Sequence, residues 1–319
     1  MEDVYSIPEV RCDSARNFLY ELDETNDRWG DDIWLFRGQN DVHWILHPRA
    51  MRSELITSFV ERYVRVFPDR ESLPNSVQPR WKDVEDVDFR KLLRLKLHTT
   101  AEHLLVRSFE ELSDRVGLTI PTDRYAILGG DNKPLAFDET IEKSLTPSVN
   151  ETNPGRVSYA LAQHHGIPTR LIDCTFRPLF AAFFAAHVEN DLEDEPEHLV
   201  VWAIKSKCLR KTGLRVVSHL RSQIGFLQSQ DGVFLYDSKA NEKFATCGAW
   251  QPLESELRST VLRDCVYKLV LPFRERGNLL AILNSKYVSK PFLMPSFDNV
   301  ATEIVSESVD WTKLLDGLP

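Results

Sequence analysis

The sequence predicts an α+β fold: a mixed β-sheet core with flanking helices and a helical insertion after the first strands. Three observations lead there. Short apolar runs with the length of buried strands recur along the chain, among them IWLF, LVVWAI and VYKLVLP. Between them lie longer stretches whose apolar residues fall three and four apart, as an amphipathic helix requires. From Arg156 to His187 a helix–strand–helix unit can be read from glycine and proline breakers alone.

In chain order, Ser14 ahead of ARNFLYELDE has the pattern of a capped helix with Phe18, Leu19 and Leu22 on its apolar side. Asp31 and Asp32 then lead into a strand that ends in Phe36-Arg37-Gly38-Gln39, which puts Arg37 at a strand end. After the polar NDVHW, the alternating segment from Trp44 to Pro48 reads as the hairpin partner of that strand. Helical spacing runs from Arg49 to about Val66 and, after a proline-rich break from Pro68 to Pro79, from Asp86 to about Val116. Residues 117–153 show little periodicity and read as a long connector covering or bordering a site.

The next helix stops at Gly166, the strand TRLIDCT follows Pro168, and Pro178 opens an apolar helix, PLFAAFFAAH. Beyond an acidic loop, strands are expected at Leu199–Ile204, Val233–Tyr236 and Val266–Leu271, with a closing amphipathic helix in RERGNLLAILNSKYV. The resulting division is an N-terminal helical segment (1–30), a core domain (31–300) with its insertion at about 50–155, and a C-terminal tail (301–319).

Composition bounds the function classes. With 319 residues, 42% apolar and 27% charged, the chain is an ordinary globular protein of one large domain or two small ones. It has 39 basic and 48 acidic residues, and a net charge of −9 argues against a nucleic-acid-coating or anionic-membrane protein. Nucleic acid is therefore not the expected partner, although Arg90, Lys91, Arg94 and Lys96 make one basic helix face; a solvated face is the plain explanation. Five cysteines (12, 174, 208, 247 and 265) are scattered, odd in number and without a CxxC pair, which argues against a disulfide framework or a zinc ribbon and for a reducing cytoplasm. The longest apolar stretch, Pro178–Val188, is too short to span a bilayer, and the acidic, proline-broken N-terminus is not a secretory leader.

The chemistry concentrates in two blocks. In LFRGQ, Arg37 supplies a planar guanidinium suited to phosphate, Gly38 leaves room for close approach of a ligand, and Gln39 adds an amide donor and acceptor. In the second block, His164 and His165 sit at a helix end and cannot both face the same way, so one is a packed or capping histidine. Strand alternation puts Arg170, Ile172 and Cys174 on one face and Thr169, Leu171, Asp173 and Thr175 on the other, with Asp173 partly buried. A buried aspartate needs a partner, for which Arg37, Arg170 or the end of the next helix would serve, and a structural ion pair, a helix cap or a catalytic role fits. Thr175 lies just before a helix start, an anion-friendly place. Gln223, Gln228 and Gln230 precede a strand in what reads as a polar hairpin; their amides can hold a ribose or a base edge but cannot act as a base. No HExxH, Cys/His cluster, GxSxG, Walker A or GxGxxG sequence occurs, so no metal is expected.

LFRGQ at 35–39, ALAQHHGIPTRLIDCTFRPLFAAFFAA at 160–186 and QDGVF at 230–234 together resemble the FRG domain family, whose middle block reads AQHxGxPTRLLDWT; Cys174 stands where tryptophan is common. The resemblance covers about residues 30–188, with weaker likeness to about 300. A weaker similarity is to the ADP-ribosyltransferase fold, with Arg37, Thr175 and Gln230 in its three strand positions, the last a glutamine where those enzymes carry a glutamate. The two resemblances imply a nucleotide- or NAD-binding domain of bacterial stress or phage defence. Arg37, Gly38, Gln39, His164, Thr169 and Arg170 would then line the cofactor, and Arg37, Asp173, Thr175 and Gln230 the reaction centre. The rival expectation is a non-catalytic sensing or protein-binding module whose motif residues are structural.

Overall fold

The computed structural model describes residues 6–120, 145, 155–188, 194–219, 225–258 and 264–306. Almost all of the connector expected over 117–153, Gln223 and the tail from 307 lie outside them. A seven-stranded mixed sheet forms the centre, in the order β1-β7-β4-β2-β3-β6-β5. Its strands are β1 (Glu9–Arg11), β2 (Trp34–Gln39), β3 (Ile172–Thr175), β4 (His198–Lys205), β5 (Leu214–Val217), β6 (Gly232–Asp237) and β7 (Val266–Pro272). β1 runs parallel to β7 and every other neighbouring pair is antiparallel.

Period-two alternation sends the two halves of each strand to different cores. On one face Trp34, Phe36, Val201 and Leu269 meet α1 (Ala15–Glu21); the same core holds Ala182 and Phe183 of an apolar helix at Pro178–Ala186 and Leu279 of one at Arg276–Ser285. On the other, Leu35, Ile172, Cys174, Trp202 and Leu235 pack with Leu46 and Leu253. The insertion is helical, as its spacing predicts: α2 (Glu54–Val66) and α3 (Asp86–Arg115) close a separate core around Ile56, Trp81, Phe89 and Leu93. α4 (Val157–His164), followed by α5 (Pro178–Ala186), completes the helix–strand–helix unit around β3. Shorter helices follow: α6 (Ser206–Leu209), α7 (Gly225–Ser229), α8 (Ala240–Cys247) and α9 (Leu253–Leu257). α10 (Arg276–Ser285), α11 (Lys290–Leu293) and α12 (Phe297–Ser306) end the described chain, so helix crosses the boundary expected at residue 300.

Four expectations are corrected. Trp44–Pro48 is not a strand: β4 takes one whole edge of β2, β3 meets the other at Phe36, and the segment is instead fastened by Leu46 N–H to Glu254 Oε1 and Leu253 N–H to the Leu46 carbonyl. Arg37 stands inside β2, opposite Trp202, rather than at its end. The polar hairpin before β6 is a helical turn, α7, joined to β6 through Asp231 at a φ of 47°. Cys208 and Cys265 form a disulfide across the loop ends of neighbouring β4 and β7, a pairing the scattered cysteine spacing does not reveal; Cys12, Cys174 and Cys247 are free. No helix among the described residues is long and apolar enough to cross a membrane.

Candidate functional site

β2 and β3 share one registered pair, Phe36 with Thr175, and beyond it the ladder stops. There Arg37 Nη1 donates 2.7 Å to the Asp173 carbonyl, so a side chain takes the place of a strand-to-strand bond. The Asp173 carboxylate is not buried as alternation suggests: its side chain is 58% exposed, because the strands part at this point, and Oδ2 lies 3.9 Å from Arg37 Nη1. Gln163, on the last turn of α4, donates to Asp173 Oδ2 at 3.0 Å and to the Leu171 carbonyl at 3.2 Å, while its Oε1 accepts from Thr169 Oγ1 at 2.7 Å. Arginine, carboxylate and amide thus meet at one mouth. Gln163 carries no titratable group and stands on a helix, which is why the sequence reading passes over it; its place beside the two histidines is the signal that marks it.

A second group missed by the sequence reading surrounds the same mouth. Pro48 starts a 3-10 turn, Arg49–Arg52, that carries an arginine at each end. Arg49 Nη1 lies 3.6 Å from where a Cβ on Gly166 would stand. Partial burial and repulsion from Arg37 and Arg49 lower the Arg52 pKa. His47, half-buried just before the turn, is lowered by burial and by Arg52, and is neutral at pH 7. The detectable signal is the three-residue spacing of two arginines behind a proline, which eclipses both on one edge of a 3-10 turn.

The remaining motif residues serve the fold. Gly38 faces α5, where a Cβ would overlap the Ala181 carbonyl oxygen and stand 2.5 Å from the Ala185 nitrogen, so the glycine admits a helix rather than a ligand. Gln39 is buried and accepts from Trp202 Nε1 at 2.6 Å. Thr169 is wholly buried. Arg170 is 1% exposed and paired with Glu102, at 0%, through Nη2 at 2.8 Å and Nε at 2.9 Å, while its Nη1 reaches Asn241. Thr175, on the Phe36 face, donates to the Gln230 carbonyl at 2.7 Å and accepts from Arg177 N–H at 3.0 Å. Gln230 Nε2 is bonded to the Leu293 carbonyl. Thr175 and Gln230 are therefore together, but no hydrogen bond or ion pair joins them to Arg37 and Asp173 among the described residues.

His164 stacks flat on Phe226, with ring centroids 3.6 Å apart and planes 2° from parallel. Burial and then His165 lower its pKa, with Asp173 opposing, so the ring is neutral at pH 7. Gly166, at φ +88°, closes α4 in a Schellman motif: Gly166 N–H bonds the Gln163 carbonyl and Ile167 N–H the Ala162 carbonyl. Cys174 is fully buried and its thiol is pushed up to about 12, which removes it as a nucleophile. Among the described residues no group of three or more His, Cys, Asp or Glu side chains is placed to hold a metal ion. Two clefts of about 500 and 480 Å3 open elsewhere, beside His198 and beside Leu179, and neither is lined by Arg37, Arg49 or Arg52.

Fold and site together define an α+β domain with a guanidinium-rich mouth where its central strands part. The chain belongs to the FRG domain family, whose model matches residues 32–194. That span runs from the start of β2 through the insertion to just past α5, and so contains every residue of the mouth. No curated protein and no solved structure matches the chain.

Proposed function

We propose that this domain binds a nucleotide of the NAD or ADP-ribose type at the mouth between β2 and β3. The observation that carries the reading is the Arg37–Asp173–Gln163 constellation, held at 2.7, 3.9 and 3.0 Å. A guanidinium suits a phosphate, and a carboxylate beside an amide suits the adjacent hydroxyls of a ribose. Asp173 also offers the carboxylate that an ADP-ribosyltransferase-like step requires, since positive charge develops on the ribose as the nicotinamide bond breaks. Gln230 has no such charge and its side chain is engaged with Leu293. A role in bacterial stress or phage defence, and a cytoplasmic setting where NAD is plentiful, belong to the same proposal. A reducing compartment would open the Cys208–Cys265 disulfide, so alkylation in fresh extract tests the setting: five free thiols support it and three oppose it.

The test is calorimetric titration with ADP-ribose and NAD. Arg37→Ala is expected to weaken binding at least tenfold, and Asp173→Asn to weaken it less while abolishing any modification of target proteins by labelled NAD. Unchanged affinity in both variants sinks the reading. A second reading, a non-catalytic protein-binding module, is favoured by the number of motif residues held in the interior: Gln39, Thr169, Arg170 and Thr175. It predicts that Asp173→Asn has no effect beyond stability.

A further inference from the structure

We infer that Arg49 and Arg52, with Arg37, form a subsite for a pyrophosphate group, so that the ligand class is a nucleoside diphosphate, triphosphate or dinucleotide rather than a nucleoside monophosphate. The inference rests on the nucleotide reading and assigns residues to the pyrophosphate that NAD and ADP-ribose carry.

Geometry is the first support. A 3-10 turn has three residues per turn, so Arg49 and Arg52 rise from the same edge, about 6 Å apart along the axis. The turn is firmly mounted: Ala50 is buried, its N–H donates to the Thr169 carbonyl at 3.0 Å, and its carbonyl accepts from His98 Nε2 at 3.1 Å. Thr169 lies just ahead of β3, so the mount ties both arginines to the element that carries Asp173. Arg49 reaches over Gly166 and the end of α4, the helix whose Gln163 holds Asp173.

Charge is the second support. Among the described residues neither Arg49 nor Arg52 makes an ion pair, and Arg37 has only Asp173, at 3.9 Å. Of the three guanidiniums only Arg37 has a carboxylate partner, and the surplus charge matches a dianion. Like charges are gathered here in a chain whose acidic residues outnumber its basic ones, against their mutual repulsion. Arg37 Nε and His47 Nε2 are buried without a partner among the described residues, which leaves further nitrogens close to the cluster.

The plain alternative is that Arg49 caps the C-terminus of α4, but among the described residues no hydrogen bond joins Arg49 to an α4 carbonyl. The carbonyls of Leu161, Ala162 and Gln163 are already bonded by the N–H groups of His165, Ile167 and Gly166. Arg49 and Arg52 are exposed residues, so their replacement does not open the core.

The experiment titrates inorganic pyrophosphate, AMP and ADP into the full chain at fixed ionic strength, for wild type and for Arg49→Ala/Arg52→Ala. Unfolding of the unliganded proteins by heat checks that the variant is folded. In wild type, ADP is expected to bind at least tenfold tighter than AMP, and pyrophosphate alone to bind. In the variant, ADP should fall to the AMP level, pyrophosphate binding should be lost, and AMP should change less than threefold. Equal ADP and AMP affinities in wild type overturn the subsite and leave the nucleotide reading standing, as does an ADP-to-AMP ratio kept in the variant. Pyrophosphate binding as tightly as ADP, and lost in the variant, supports the subsite and overturns the nucleotide reading instead. Absence of binding by all three ligands overturns both.

Discussion

Gly38 shows how a residue can be recognised and still be misassigned. Its place next to Arg37 suggests room for a ligand, yet the space it leaves is filled by the α5 backbone at Ala181 and Ala185. A side chain there meets backbone on two sides, which cannot rotate away. Gly38→Ala is expected to destabilise by about 1–3 kcal/mol through overpacking, measured by urea unfolding. A neutral substitution would mean that α5 shifts freely. The same limit applies to the second motif block. Sequence identifies Thr169, Arg170 and Asp173 as notable, but strand alternation cannot tell that β3 meets β2 through Thr175 alone, which leaves Asp173 exposed, or that Arg170 stands ahead of the strand, paired with Glu102.

Most elements were legible because their ends carry chemical punctuation. Ser14 accepts from Asn17 N–H at the start of α1, Gly166 takes the left-handed conformation after α4, and Pro178 opens α5. Trp44–Pro48 was not legible, since alternation describes a segment that fits a strand but not whether an edge is free to pair with it. Nor did spacing show how the insertion is joined to the sheet. Glu102 of α3 accepts from the backbone and side chain of Arg170, and Arg170 reaches Asn241 of α8, so one carboxylate ties three elements together. Glu102→Ala leaves a buried guanidinium without its counter-charge and is expected to lower stability by about 3–5 kcal/mol. The paired variant Glu102→Leu/Arg170→Met should recover much of that loss in the same urea measurement. A small effect of the single change would show that water reaches the pair.

For the whole molecule, pH enters through the seam between insertion and sheet. His98 is buried there, bonded to the Ala50 carbonyl and packed on Trp250, and burial and then Arg170 lower its pKa to about 3. The folded state holds it neutral while the unfolded chain protonates it near its usual 6.5, so the unfolded state binds more protons at acid pH. The stability is fully present above about pH 6.5 and declines as pH falls towards 3; at pH 5 this one group costs about 2 kcal/mol. Urea unfolding at pH 7.5 and 5 should show a smaller loss in His98→Gln than in wild type, and equal losses would assign the acid sensitivity to other groups. The strand order could not be read at all: β1 beside β7, and β2 between β4 and β3, are pairings between distant parts of the chain, and no local pattern encodes them.

That order also has a consequence for synthesis. The strand at the middle of the sheet is made early, while both neighbours, whose Thr175 and Trp202 it must meet, are still untranslated. At ordinary elongation rates the wait is on the order of ten seconds, with both edges of an apolar WLF segment unpaired. In that interval α2 and α3 can close their own core from nearby residues, so the insertion is free to form on the ribosome before β2 meets its neighbours.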